Sequence, residues 1–75
     1  MKLTPPEFRE YIARRIKSIQ RTHGFTAAKM QEIMCIGQHV WAETLNCRRE
    51  VKAIEIYRLA QHVKCDVSYF YPWED

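Results

Sequence analysis

The stretch "LTPPEFREYIARRIKSIQRTHGFT" constrains the fold most, because it carries a helix start, an apolar stripe and a helix stop in one register. Thr4 stands at an N-cap position, Pro5 at the first helical position, and Glu7 three residues after Thr4 to close a capping box. Leu3 and Phe8 stand at the spacing of a hydrophobic staple. Phe8, Ile12, Ile16 and Ile19 then recur every three or four residues, while Arg9, Arg14, Arg15, Lys17 and Arg21 fall elsewhere around the helix. Gly24 supplies the left-handed residue that ends it. An amphipathic helix of this kind needs an apolar surface to cover its stripe, and the rest of the chain must provide one.

"GFTAAKMQEIM" repeats the same logic: Thr26 caps, Phe25 and Met30 take the staple positions, and Ile33 and Met34 extend the apolar face of a second helix at about 26–34. Cys35, Ile36 and Gly37 form a tight connection to a third helix at about 37–46. There Val40, Trp41 and Leu45 share one side with Thr44 among them, while His39, Ala42, Glu43 and Asn46 point the other way and Gln38 sits at the edge. "NCRRE" breaks the period, and Ala53, Ile56, Leu59, Ala60 and Val63 restore it as a fourth helix. Asp66 caps a last short helix in "VSYFY", which Pro72 ends. With no strand signal, repeat, low-complexity segment or linker, the expected fold is all-α: one domain over residues 1–75, a compact bundle of five helices with an aromatic tail at 66–75.

Size and composition narrow the function classes. A chain of 75 residues buries only about 60% of its unfolded surface, so a deep substrate cleft is not expected. Three cysteines in no CxxC pair, without a signal-type apolar segment, argue for reduced thiols in the cytoplasm over a secreted disulfide scaffold, and no apolar run is long enough to cross a bilayer. Two serines, two aspartates and two glycines leave neither a phosphate-cradling loop nor a nucleophile with base and orienting group, so no enzyme activity and no cofactor are expected. Cys35 with His39, and His62 with Cys65, have the spacing of a Cys2His2 zinc site. The turn position of Cys35, the apolar position of Cys65 and the outward phase of His39 argue against it, and no metal is expected.

The net charge of +3 is unevenly spread. Residues 1–29 hold seven basic and two acidic groups, 30–47 only Glu32 and Glu43, 48–64 five basic and two acidic groups, and the tail from Cys65 three acidic ones. Two basic segments flanking a weakly acidic one are compatible with a polyanion partner but not diagnostic of one, since most small proteins of this charge bind no nucleic acid and carry it on a solvated surface.

The succession resembles the Cro and lambda-repressor type (Xre) helix-turn-helix family. The resemblance rests on Ile12, Ile16, Ile19, Gly24, Phe25 and Thr26; on Met30, Ile33 and Met34 of a scaffold helix; and on Ile36 in its turn and Trp41 as the anchor of a recognition helix. Asn46 after that helix and "IEIYRLAQHVKCDVSYFY" at the end complete it. It runs from about Ile12 to Tyr71 and implies a lambda-repressor-like domain that binds double-stranded DNA in transcriptional control, as a repressor of the phage or mobile-element type. Departures stand at Ala27 for a phosphate-bracing glutamine, Gln31 for a small alanine and Cys35 for the turn glycine. Thr44 stands for an apolar residue, and Cys47 and Val51 for a glycine and a proline. A shift of apolar register from Thr44 to Leu45 would rotate the third helix.

In that register Gln38, His39, Ala42 and Glu43 are the candidates for base edges, glutamine as a bidentate partner of adenine, alanine against a thymine methyl, and glutamate accepting from an amino group. The phosphate candidates are Thr26, Ala27 and Ala28 through the start of the second helix, with Lys29, Asn46, Arg48 and Arg49. Three cations per subunit, Lys29, Arg48 and Arg49, give a dimer a log-log salt slope of roughly −5. The crowded aromatics of the tail, Tyr69, Tyr71 and Trp73, together with Ile54 on the fourth helix, are the candidates for a homodimer contact. The rival reading is a helix-turn-helix scaffold used as a protein-interaction module, an antitoxin or a phage-encoded inhibitor of a host complex, with the third helix or the aromatic tail as its binding face.

Overall fold

The computed structural model describes residues 3–72 as four α-helices and one 3₁₀ turn, with no strand among the described residues. The helices are α1 (Pro5–His23), α2 (Ala27–Met34), α3 (Gln38–Leu45) and α4 (Ala53–Val63), and the 3₁₀ turn is Val67–Phe70. Trp73, named above as a dimer candidate, lies outside the described residues.

The start of α1 forms as its sequence dictates. The Glu7 N–H donates to Thr4 Oγ1 at 3.4 Å, and the Glu7 carboxylate accepts from the Thr4 N–H at 2.9 Å. At the other end Gly24 adopts φ 68°, and its N–H and that of Phe25 donate to the Arg21 and Gln20 carbonyls, which would otherwise be orphaned.

One core joins all the elements: Ile12, Ile16 and Ile19 from α1, Met30, Ile33 and Met34 from α2, Trp41 from α3, Ile56, Leu59 and Ala60 from α4, and Phe70 from the 3₁₀ turn. Helix α2 packs on α4 and α3, and the 3₁₀ turn lies across α1 and α4. The buried residues mix small side chains, Ala13 and Ala60, with large ones such as Trp41 and Phe70.

Two expectations are corrected here. The last helix is a single 3₁₀ turn: Asp66 accepts from the Ser68 N–H at 2.8 Å to start it, but Pro72 drives the preceding Tyr71 to an extended conformation, φ −114° and ψ 139°, so it cannot continue. And Ala53, assigned to the inner stripe of α4, is exposed, whereas Glu55 is buried. The reversal follows from Arg49, which gives the Glu55 carboxylate a partner inside the fold.

The described aromatics of the tail pack against the domain. Phe70 is fully buried, Tyr69 meets it edge-on at 5.3 Å and donates from its hydroxyl to Ser18 Oγ at 3.1 Å, and Tyr71 stacks on Phe8 at 6.1 Å. Tyr69 and Tyr71 therefore spend much of their surface on α1 before any partner is met.

Candidate nucleic-acid interface

The segment Thr26–Arg49 is two short helices joined by a three-residue turn. Thr26 Oγ1 accepts from the Lys29 N–H at 3.0 Å, and the Met30 N–H bonds to the Thr26 carbonyl at 3.0 Å, which leaves the N–H groups of Ala27 and Ala28 unpaired at an exposed helix start. Cys35 closes α2 at φ 57°, with its own N–H bonded to the Glu32 carbonyl and that of Ile36 to the Gln31 carbonyl. A cysteine here adopts the backbone a glycine would, because two hydrogen bonds and the buried faces of α2 and α3 hold the turn. Gly37 is extended at φ −85° and caps α3 from outside, so the third helix begins at Gln38.

Helix α3 is fixed from below by Trp41 and Thr44, both buried, with Leu45 packed at the core edge. The rotation anticipated from Thr44 does not occur. Its hydroxyl donates to the Val40 carbonyl at 2.9 Å and accepts from Arg49 Nη1 at 3.1 Å, so a polar residue sits at an inward position fully satisfied. Arg49 then reaches the Glu55 carboxylate with two bonds, 2.9 and 3.2 Å, and the same carboxylate accepts from the Lys52 N–H at 3.2 Å at the start of α4. This chain of bonds ties the end of α3 to the start of α4. Helical period alone does not reveal it: Glu55 lies on the apolar side of α4, in phase with Leu59, and the signal in the sequence is an acid on an inward phase after two arginines.

On the opposite side of α3, Gln38, His39 and Ala42 are exposed and Glu43 is half-exposed. His39 Nε2 lies 3.7 Å from Glu43 Oε1, one turn apart along this stripe. The fold therefore brings the four base-edge candidates onto one open face, with side chains able to donate, accept and make apolar contact.

The cationic candidates are not brought together in the same way. Arg49 is committed to Glu55 and Thr44, and its side chain is only 20% exposed, so its role is within the fold. Lys29 Nζ bonds Glu32 at 3.1 Å on the surface. Arg48 alone among Lys29, Arg48 and Arg49 is exposed and without an ion pair among the described residues; its N–H bonds the Glu43 carbonyl at 2.9 Å, and Cys47 before it takes φ 59° in the closing turn of α3. Asn46 is the exposed C-cap. Ile54 is 48% exposed on α4, as is Tyr57 beside it at 49%.

Among the described residues no three His, Cys, Asp or Glu side chains form a group able to hold a metal ion, and no helix is long and apolar enough to cross a membrane. Burial, with Asp66 adjacent, pushes the Cys65 thiol above its ordinary range, away from the thiolate form. A scan against protein-family models and searches of curated proteins and of solved structures found no match to the chain.

Proposed function

We propose that this chain is a small sequence-specific DNA-binding regulator of the lambda-repressor-like helix-turn-helix class, acting in the cytoplasm as a homodimer on a palindromic operator and repressing by occupying it. The observation that carries the reading is the exposed stripe Gln38, His39, Ala42 and Glu43 on a helix whose other side is locked by Trp41 and Thr44. A side chain that reads a base edge must be solvated when free and carried on a firmly seated helix; the exposure of this stripe and the burial of Trp41 and Thr44 beneath it support the reading. The N–H groups of Ala27 and Ala28 and the guanidinium of Arg48 are then the phosphate contacts, with Lys29 once it leaves Glu32.

With Arg49 committed, a dimer offers two to four free cations, and the expected log-log salt slope falls to roughly −2 to −4. The test is selection from randomised duplex DNA followed by titration of the selected site at two salt concentrations. A palindromic site with a slope in that range supports the regulator. No selected sequence, or no binding at low salt, overturns it and favours the protein-interaction reading, to which the acidic Glu43 and the pairing of Lys29 with Glu32 and of Arg49 with Glu55 already lend weight.

A further inference from the structure

A second charged surface lies along α1, away from the α3 stripe. Tyr11, Arg14, Arg15, Ser18 and Arg21 line an open cleft of about 410 Å³. No carboxylate occurs between Glu10 and Glu32 in the sequence, and Arg14, Arg15, Lys17 and Arg21 form no ion pair with any described carboxylate. Arg15 is already positioned: its Nη2 donates to the Tyr11 hydroxyl at 2.8 Å, and its guanidinium lies 5.0 Å from the Tyr11 ring centre and 4.7 Å from that of Tyr69. Tyr69 is in turn held by Ser18. An arginine fixed in this way loses less freedom on binding than a free one.

The cleft is on its own side of the helix. Arg9 and Ser18 are nine residues apart, about half a turn out of phase at 100° per residue. Arg9 faces Glu50 in the loop after α3, at 4.0 Å, whereas Ser18 faces Tyr69. A ligand on α3 and its following loop therefore leaves the arginine cleft open.

We propose that this cleft is a docking surface for an acidic segment of a partner protein; the proposal stands independently of whether α3 binds DNA. Three features select that occupant. The lining runs from residue 11 to residue 21, about 15 Å of helix, which suits a stretch of chain better than one compact anion. Arg14 and Arg21 are two turns apart with Lys17 and Ser18 between, the spacing at which a row of glutamates on a second helix would meet them. Arginine is interleaved with tyrosine, Arg15 lying against the rings of Tyr11 and Tyr69, and this is the composition of protein interface centres. Guanidinium forks then take carboxylates in paired bonds, and the rings cover the apolar side of the segment.

The test uses the full chain and a fluorescein-labelled synthetic helical peptide with glutamate at every third and fourth position and one leucine per turn, read by anisotropy. A second peptide with glutamine for every glutamate is the control. The expected result is binding of the glutamate peptide only, weakened at least about tenfold by the double variant Arg14→Ala, Arg21→Ala and unchanged by Gln38→Ala, His39→Ala. Thermal melting of each variant by circular dichroism should match the parent, because all four side chains are exposed. Equal binding of both peptides, no binding, or full binding by Arg14→Lys, Arg21→Lys overturns the proposal. So does displacement of the peptide by pyrophosphate or by non-selected duplex DNA with the same dependence on Arg14 and Arg21, which would make the cleft a phosphate site.

Discussion

Arg49 holds Glu55 through two hydrogen bonds, 2.9 and 3.2 Å long, with the carboxylate nearly buried and Thr44 taking a further bond from the same guanidinium nitrogen. The pair satisfies the buried Thr44 hydroxyl and ties the end of α3 to the start of α4.

Removing one member strands the other. Arg49→Ala leaves the Glu55 carboxylate inside the fold with only the Lys52 N–H, and the expected loss is about 3 kcal/mol in urea unfolding. The double variant Arg49→Ala, Glu55→Ala should lose clearly less than the sum of the two single variants. Additive losses would show that the two groups do not act as a pair.

Cys35 and Cys47 take positive φ, 57° and 59°, where a residue with a Cβ is strained. Glycine at either place should raise stability by up to about 1 kcal/mol, a gain of several degrees in Tm for a domain this small. Gly24→Ala, at φ 68° with open space around its Cα, should lose a similar amount for the same reason. A fall in Tm for both cysteine variants would contradict the turn geometry.

The two neighbouring arginines should separate by function. Arg48→Ala is expected to weaken binding to all DNA sequences and to reduce the salt slope by about 1 per subunit without changing the melting curve. Gln38→Ala is expected to relax sequence choice, with about 1–3 kcal/mol less discrimination. Arg49→Ala should act through folding. If Arg48→Ala left non-selected DNA binding untouched, the phosphate role assigned to it would fail.

Two capping carboxylates set an acid limit. Hydrogen bonds from Thr4 hold Glu7 below its ordinary value, and those from Ser68 hold Asp66 below its own. Both groups bind protons more weakly folded than unfolded, so their stabilisation is complete at neutral pH and is lost as pH falls through the carboxylate range, below about pH 4. Glu7→Gln and Asp66→Asn should each lower stability at pH 7 and flatten its fall in acid, measured as Tm against pH. An unaltered acid profile in the double variant would exclude these caps as its source.

Among the described residues of the tail, Phe70 is the one aromatic that is wholly buried. Phe70→Ala is expected to cost about 3–5 kcal/mol, comparable with the whole stability of a domain of this length. The far-ultraviolet dichroism of that variant at 37 °C should show a largely unfolded population.

The sequence by itself determined the elements whose signals are local. The capping box at Thr4, the stop at Gly24, the cap at Thr26 and the apolar spacing of Ile12, Ile16 and Ile19 act within a turn or two of the chain, so propensity and period suffice to read them. The outward stripe Gln38, His39, Ala42 and Glu43 was legible for the same reason, since helical phase alone sets it against Trp41. What each charge does was decided only by tertiary structure. Arg48 and Arg49 are adjacent and identical, yet one ends in solvent and the other beneath α4, because only Arg49 meets an inward carboxylate six residues on. The tail likewise read as surplus aromatic surface until Ser18, Phe8 and Arg15 of α1, more than fifty residues earlier, were folded against it. Burial and pairing depend on which distant groups arrive at the same place, and no periodicity along the chain encodes that.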